Sequence, residues 1–94
     1  APTFSKWGAD MAAAVPQDAR MILCGVATDC CVIATAMAAV DAGRQVILVA
    51  DACAGGTDDQ HDQALAVMAL LDPLLQVTSV DELLGSGPRP LAAD

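Results

Sequence analysis

An α/β fold built on a parallel sheet is what this sequence predicts, and three observations carry the prediction. Short apolar runs bounded by polar residues (RMILCGV, QVILVAD and LQVTSV) read as buried strands. Between them lie segments with helix caps and stop signals. The connections are short, so the order is strand, helix, strand, helix, strand, which gives parallel strands joined by right-handed crossovers.

Each element follows from local chemistry. Residues 8–15, GADMAAAV, form a short helix that ends before Pro16, and PQDA makes a turn. The first strand spans 21–25. Thr28 and Asp29 are both good N-caps for the Ala-rich stretch CCVIATAMAAVDAG, which reads as a helix with Gly43 as its C′ stop. The second strand spans 45–50, and ACAGGT follows as a loop. Thr57 or Asp58 caps a helix over 58–71, which carries acids in its first turn and stops before Pro73. LQVTSV is the third strand and VDELLG one last helical turn. Residues 86–94, SGPRPLAAD, are expected to be a flexible tail.

Composition bounds the function. The 94 residues suffice for one domain or for part of a larger one. The hydrophobic fraction is 55% with a mean hydropathy of +0.51, a high apolar load for so short a chain. Such content suits strands covered on both faces, and apolar surface meant for further neighbours. The chain opens on APTFSKWG, loop-like and with no strand before it, so a preceding segment is expected. Twelve acidic residues against four basic ones, a net charge of −8, argue against nucleic acid and anionic membrane as partners. The acids are dispersed and read as a solvated surface. No basic region precedes a short apolar run, and no apolar stretch approaches the roughly 20 residues of a membrane span. A cytoplasmic protein with free thiols is therefore expected. There is no C-x2-C pair, and His61 is the single histidine, so no metal is expected. G-x-G-x-x-G and Gly-Lys-Ser/Thr are both missing, so no nucleotide phosphate site and no cofactor are expected.

The four cysteines are Cys24, Cys30, Cys31 and Cys53. Ligands of an open parallel sheet bind beyond the carboxyl ends of the strands, and Gly25 to Cys31 lies at such an end. A cap at Thr28 or Asp29 puts Cys30 and Cys31 in the first helical turn. Backbone N–H groups and the positive end of the helix dipole favour a thiolate there and can also hold an oxyanion. The alternative is that both cysteines are small core residues. Cys24, inside a strand, is expected to pack in the core, whereas Cys53 is a candidate for packing or for lining a pocket. A phosphatase-type loop needs an arginine soon after the cysteine, and the nearest is Arg44. A redox role for the vicinal Cys30–Cys31 pair stays open.

LCGVATDCCVIATAMAAVDAGRQVILVADACAG resembles the second half of the isochorismatase-like cysteine hydrolases, which include isochorismatases, nicotinamidases and N-carbamoylsarcosine amidohydrolases. Gly25, Val26, Thr28, Asp29, Cys31 and Val32 match the family pattern G-[VLI]-x-T-[DN]-x-C-V. Asp51-Ala52-Cys53 and the start of the helix DDQHDQAL also fit, and the likeness runs from residue 3 to about 80. The resemblance implies that the chain is the C-terminal part of one three-layer α/β/α domain over 1–94. It implies Cys31, not Cys30, as nucleophile. It further implies a cis peptide at Val26–Ala27, with the backbone N–H groups of Ala27 and Cys31 as oxyanion hole.

The family's triad adds an Asp and a Lys. The Lys position falls at or near Ala1, Lys6 comes late in the segment, and the Asp is expected in sequence ahead of it. Asp29 and Asp51 are given structural roles, as a helix cap and a strand-end residue. His61 is expected to be a surface residue at the start of a helix rather than a base. Trp7, Cys30 and Cys53 are candidates for lining the pocket. The function implied is cysteine-dependent hydrolysis of a small amide, carbamoyl or isochorismate-like substrate, with a small molecule as partner and a homo-oligomer as the assembly. The alternative is a catalytically incomplete fragment or pseudoenzyme that retains only an association role.

Overall fold

The computed structural model describes residues 3–85. The tail expected at 86–94 lies outside the described residues. Helix α1 spans Ala9–Ala14, strand β1 Arg20–Val26, helix α2 Ile33–Asp41, strand β2 Gln45–Ala54, helix α3 Asp58–Ala69, strand β3 Leu75–Thr78 and helix α4 Val80–Gly85. A single π-helical turn, Thr28–Val32, leads into α2. The three strands are parallel, in the order β1–β2–β3. This is the α/β architecture that the alternation of runs predicts.

The core lies between one face of the sheet and helices α2 and α3. Met21 pairs with Val46 and Val46 with Leu75; Leu23 pairs with Leu48 and Leu48 with Val77. Paired residues of a parallel ladder point to the same face. Val46, Leu48 and Leu75 are buried there with Val32, Ala36 and Ala39 of the π-turn and α2, and with Ala64 and Met68 of α3. The small side chains of Ala36 and Ala39 let α2 lie close on the sheet.

Helix ends follow capping chemistry. Gly43, at φ +85°, donates its N–H to the Val40 carbonyl at 2.9 Å, and Arg44 donates to the Ala39 carbonyl at 3.0 Å. These are the two bonds of a Schellman stop. The Thr57 hydroxyl accepts from the Gln60 N–H at 3.1 Å, and Ser79 accepts from the Glu82 N–H at 3.2 Å. Both follow the Ser/Thr-x-x-Glu/Gln sequence pattern of a helix start.

Three expectations are corrected. Strand β2 does not end at residue 50 but continues to Ala54, so half of ACAGGT is strand. Between Leu23 and Gly25, β1 advances two residues while β2 advances five, after which Gly25 pairs with Cys53 and Val26 with Ala54. Gly25 sits there at φ +124°, a conformation costly for any other residue. Second, β1 is not covered on both faces. Ile22 is 59% and Val26 70% exposed, because among the described residues no helix packs over that face of β1, whereas α4 contacts β2. An apolar run shows that two faces can be buried, not that both are. Third, neither Thr28 nor Asp29 caps α2 with its side chain; the chain enters the helix from extended Ala27 through the π-turn.

Arg44 is an unforeseen tie. It is only 6% exposed, and its guanidinium donates to the carbonyls of Val15, Pro16 and Ala12 at 2.7, 2.9 and 3.1 Å. It also lies 5.1 Å from the centroid of the Trp7 ring, within cation–π range. One buried side chain thus anchors the N-terminal segment to the sheet.

Candidate active site

The carboxyl end of β1 turns sharply into the cysteine-bearing helix. The Val26–Ala27 peptide bond is cis. The Ala27 carbonyl then accepts from the N–H groups of both Cys30 and Val32, each at 3.0 Å. The second bond spans five residues and makes the turn π rather than α. Val32 points into the core, and Cys31 is half-buried.

Cys31 lines an open groove of about 540 Å³ along β1, an edge strand among the described residues. Lys6, Met11, Cys24, Val26 and Thr35 also line it. Cys24, expected in the core, is exposed in this groove because no described residue covers its strand face. Trp7, Cys30 and Cys53 are not among the groove-lining residues. Trp7 instead packs against the core beside Arg44. The Cys53 thiol donates to the Val49 carbonyl at 3.3 Å within its own strand.

Thr35 connects the N-terminal segment to the cysteine turn. Its buried hydroxyl accepts from the Lys6 N–H at 2.8 Å and donates to the Cys31 carbonyl at 2.7 Å. Lys6 therefore shares the groove with Cys31, although its ammonium donates to the Thr3 carbonyl at 2.8 Å. Thr28, fully buried, makes a 2.7 Å hydrogen bond with Nδ1 of His61. That histidine is not a free surface residue but half-buried at the start of α3. Asp29 Oδ1 accepts from the Gly56 N–H at 3.1 Å, and Asp51 Oδ1 accepts from the Val80 N–H at 2.9 Å, which caps α4. Both carboxylates thus serve structure. Thr35 and the Thr28–His61 pair escaped the sequence reading; the signal for the first was a hydroxyl four residues after Cys31, one helical turn away.

The thiols differ electrostatically. Partial desolvation, then the neighbouring Cys31 and the carboxylate of Asp29, push the Cys30 thiol above the ordinary range. Burial also raises Cys53, with a hydrogen bond from the Gly25 backbone opposing and Cys24 and Asp51 adding to the rise. Among the described residues, no three His, Cys, Asp or Glu side chains gather to hold a metal ion. No helix among them is long and apolar enough to cross a membrane.

A parallel α/β sheet with a cysteine on the turn after a strand defines the class to which this chain is compared. Residues 3–82 match the model of the Isochorismatase domain, and the chain belongs to the isochorismatase family. Solved structures agree. An isochorismatase-like hydrolase from Alkaliphilus metalliredigens is 28% identical, with a TM-score of 0.65 over 71% of this chain and 36% of its own. The nicotinamidase/pyrazinamidase PncA from Bacillus subtilis is also 28% identical, with a TM-score of 0.71 over 82% of this chain and 43% of its own. A protein described as a putative Mar1 ribonuclease from Leishmania major shares the fold, with a TM-score of 0.79 at 17% identity, over 86% of this chain and 42% of its own. This chain thus spans less than half the length of each of these structures. None of the curated proteins matches it.

Proposed function

We propose that the protein is a cysteine-dependent hydrolase of small amides or carbamoyl compounds, with Cys31 as nucleophile. The observation that carries this reading is the position of Cys31, in the first turn after β1 and facing the open groove. The family match over residues 3–82 and the likeness to nicotinamidase support the substrate class. In the proposed reaction the Cys31 thiolate attacks the amide carbon. The carbonyl oxygen becomes an oxyanion held by the backbone N–H groups of Ala27 and Cys31. The C–N bond breaks, and the nitrogen leaves with a proton as ammonia or an amine. Water then attacks the thioester, releasing the carboxylic acid and restoring the thiol. An isochorismate-like vinyl ether is the other substrate class.

Proton transfer falls to the Asp and Lys of the family pattern. Asp29 and Asp51 are assigned the backbone contacts of a turn and a helix start instead, and Lys6, whose ammonium donates to the Thr3 carbonyl, comes late in the segment for the family's Lys. The test is hydrolysis by the full-length protein of nicotinamide, N-carbamoylsarcosine and isochorismate, beside Cys31→Ala and Cys30→Ala. Cys31→Ala is expected to lose at least about a thousandfold in rate, since such groups act as a unit, and Cys30→Ala to keep most of it. Hydrolysis that survives Cys31→Ala would refute the reading. A second reading, association without catalysis, rests on the edge that β1 leaves unpaired among the described residues, with Ile22 and Val26 exposed beside it. It predicts no turnover of any of the three compounds.

A further inference from the structure

We infer that His61 is a positioning residue for Cys31, acting through its hydrogen bond to Thr28. This inference rests on the nucleophile assigned above. Thr28 opens the π-turn that carries Cys31 and is wholly buried, so its hydroxyl has no water to fall back on. Its hydrogen-bond partner is Nδ1 of His61, 2.7 Å away on α3. The two residues are 33 apart in sequence, so the bond ties the turn to a separate element.

The surroundings show that the contact is closely built. A second bond runs in parallel, from the Gly56 N–H to Asp29 Oδ1 at 3.1 Å. Gly55 lies between the two. A Cβ there would stand 3.0 Å from Asp29 Oδ1 and 3.0 Å from both the Cβ and the backbone nitrogen of His61. The loop before α3 therefore packs directly on the cysteine turn, with no room for a side chain. Next to the turn, Ala27 offers its carbonyl to Cys30 and Val32, so displacing Thr28 displaces both the thiol and the proposed oxyanion hole. His61 does not line the groove and so acts through Thr28 rather than on substrate.

The test separates hydrogen bonding from bulk. Asn at position 61 can place a polar atom near the site of Nδ1, whereas Leu keeps bulk without polarity. The readout is the rate of Cys31 alkylation by iodoacetamide in the full-length protein, mapped by mass spectrometry, and it needs no substrate. His61→Leu and Thr28→Val are each expected to slow labelling about three- to tenfold, the range of one net hydrogen bond. His61→Asn and Thr28→Ser are expected to stay within about twofold of wild type, and the double variant His61→Leu/Thr28→Val to be no slower than either single one. A wild-type or faster rate in His61→Leu, an Asn variant as slow as Leu, or additive losses would overturn the inference. Its failure is distinguishable from failure of the nucleophile reading, which is tested separately by hydrolysis in Cys31→Ala.

Discussion

Replacing Thr35 by Val tests how the N-terminal segment is held to the cysteine turn. The two side chains have nearly the same shape, so no cavity opens; what is lost is the hydroxyl. That hydroxyl makes two bonds, from the Lys6 N–H at 2.8 Å and to the Cys31 carbonyl at 2.7 Å. Each is worth about 0.5–1.5 kcal/mol net, so their loss costs roughly 1–3 kcal/mol. Thr35 is only 5% exposed, which argues for the upper half of that range, because water cannot readily replace the lost partner. Urea unfolding reads the loss as a lower midpoint at unchanged slope. Hydrogen exchange reads the location, since the Lys6 amide loses its acceptor and should exchange faster. Thr35→Ser keeps the hydroxyl and should preserve Lys6 protection despite losing a methyl. A Val variant within about 0.3 kcal/mol of wild type, far below the cost of a lost bond, with Lys6 protection intact would refute the reasoning.

Three further outcomes are expected. Arg44→Ala should cost about 2–4 kcal/mol in thermal melting, because it strips three backbone acceptors and the Trp7 stack at once. Arg44→Lys should recover less than half of that, since Lys lacks the planar fork. Gly55→Ala should destabilise by about 1–3 kcal/mol through overpacking against His61 and Asp29, whereas Gly56→Ala crowds the movable end of Gln60, with Asp29 Oδ2 at an ordinary 3.8 Å, and should cost less in the same melts. Cys30 and Cys53 should label slowly at neutral pH and faster in alkali, because their thiols are raised. In the unfolded chain these thiols ionise first. Stability should therefore be fully present below the ordinary thiol pKa and fall as pH rises through the folded values, as pH-dependent unfolding would show; stability rising in that window would contradict the assignment.

Most of the fold was legible because it depends on local signals. Thr57 with Gln60, and Gly43 after an Ala-rich run, carry helix ends in their own chemistry. The position of Cys31 on a strand-to-helix turn followed in the same way. What was not legible depends on distant partners. RMILCGV is apolar on both faces, and nothing local says that Ile22, Cys24 and Val26 stay exposed. The length of β2 is set by its ladder with β1 past Gly25, not by its own residues. Thr28 offered itself as a cap, yet its hydroxyl bonds to His61, a residue 33 positions on. The roles of Arg44 and Thr35 likewise exist only once the N-terminal segment has folded back on the sheet.

The central claim is that Cys31 forms the covalent intermediate, and the most direct measurement is the mass of that intermediate. Full-length protein is quenched in acid during turnover of whichever test amide it hydrolyses, digested and mapped. A thioester adduct of the acyl group is expected on the peptide containing Cys31, with none in Cys31→Ala and an undiminished one in Cys30→Ala. An adduct confined to Cys30, or wild-type turnover in Cys31→Ala, would contradict the account.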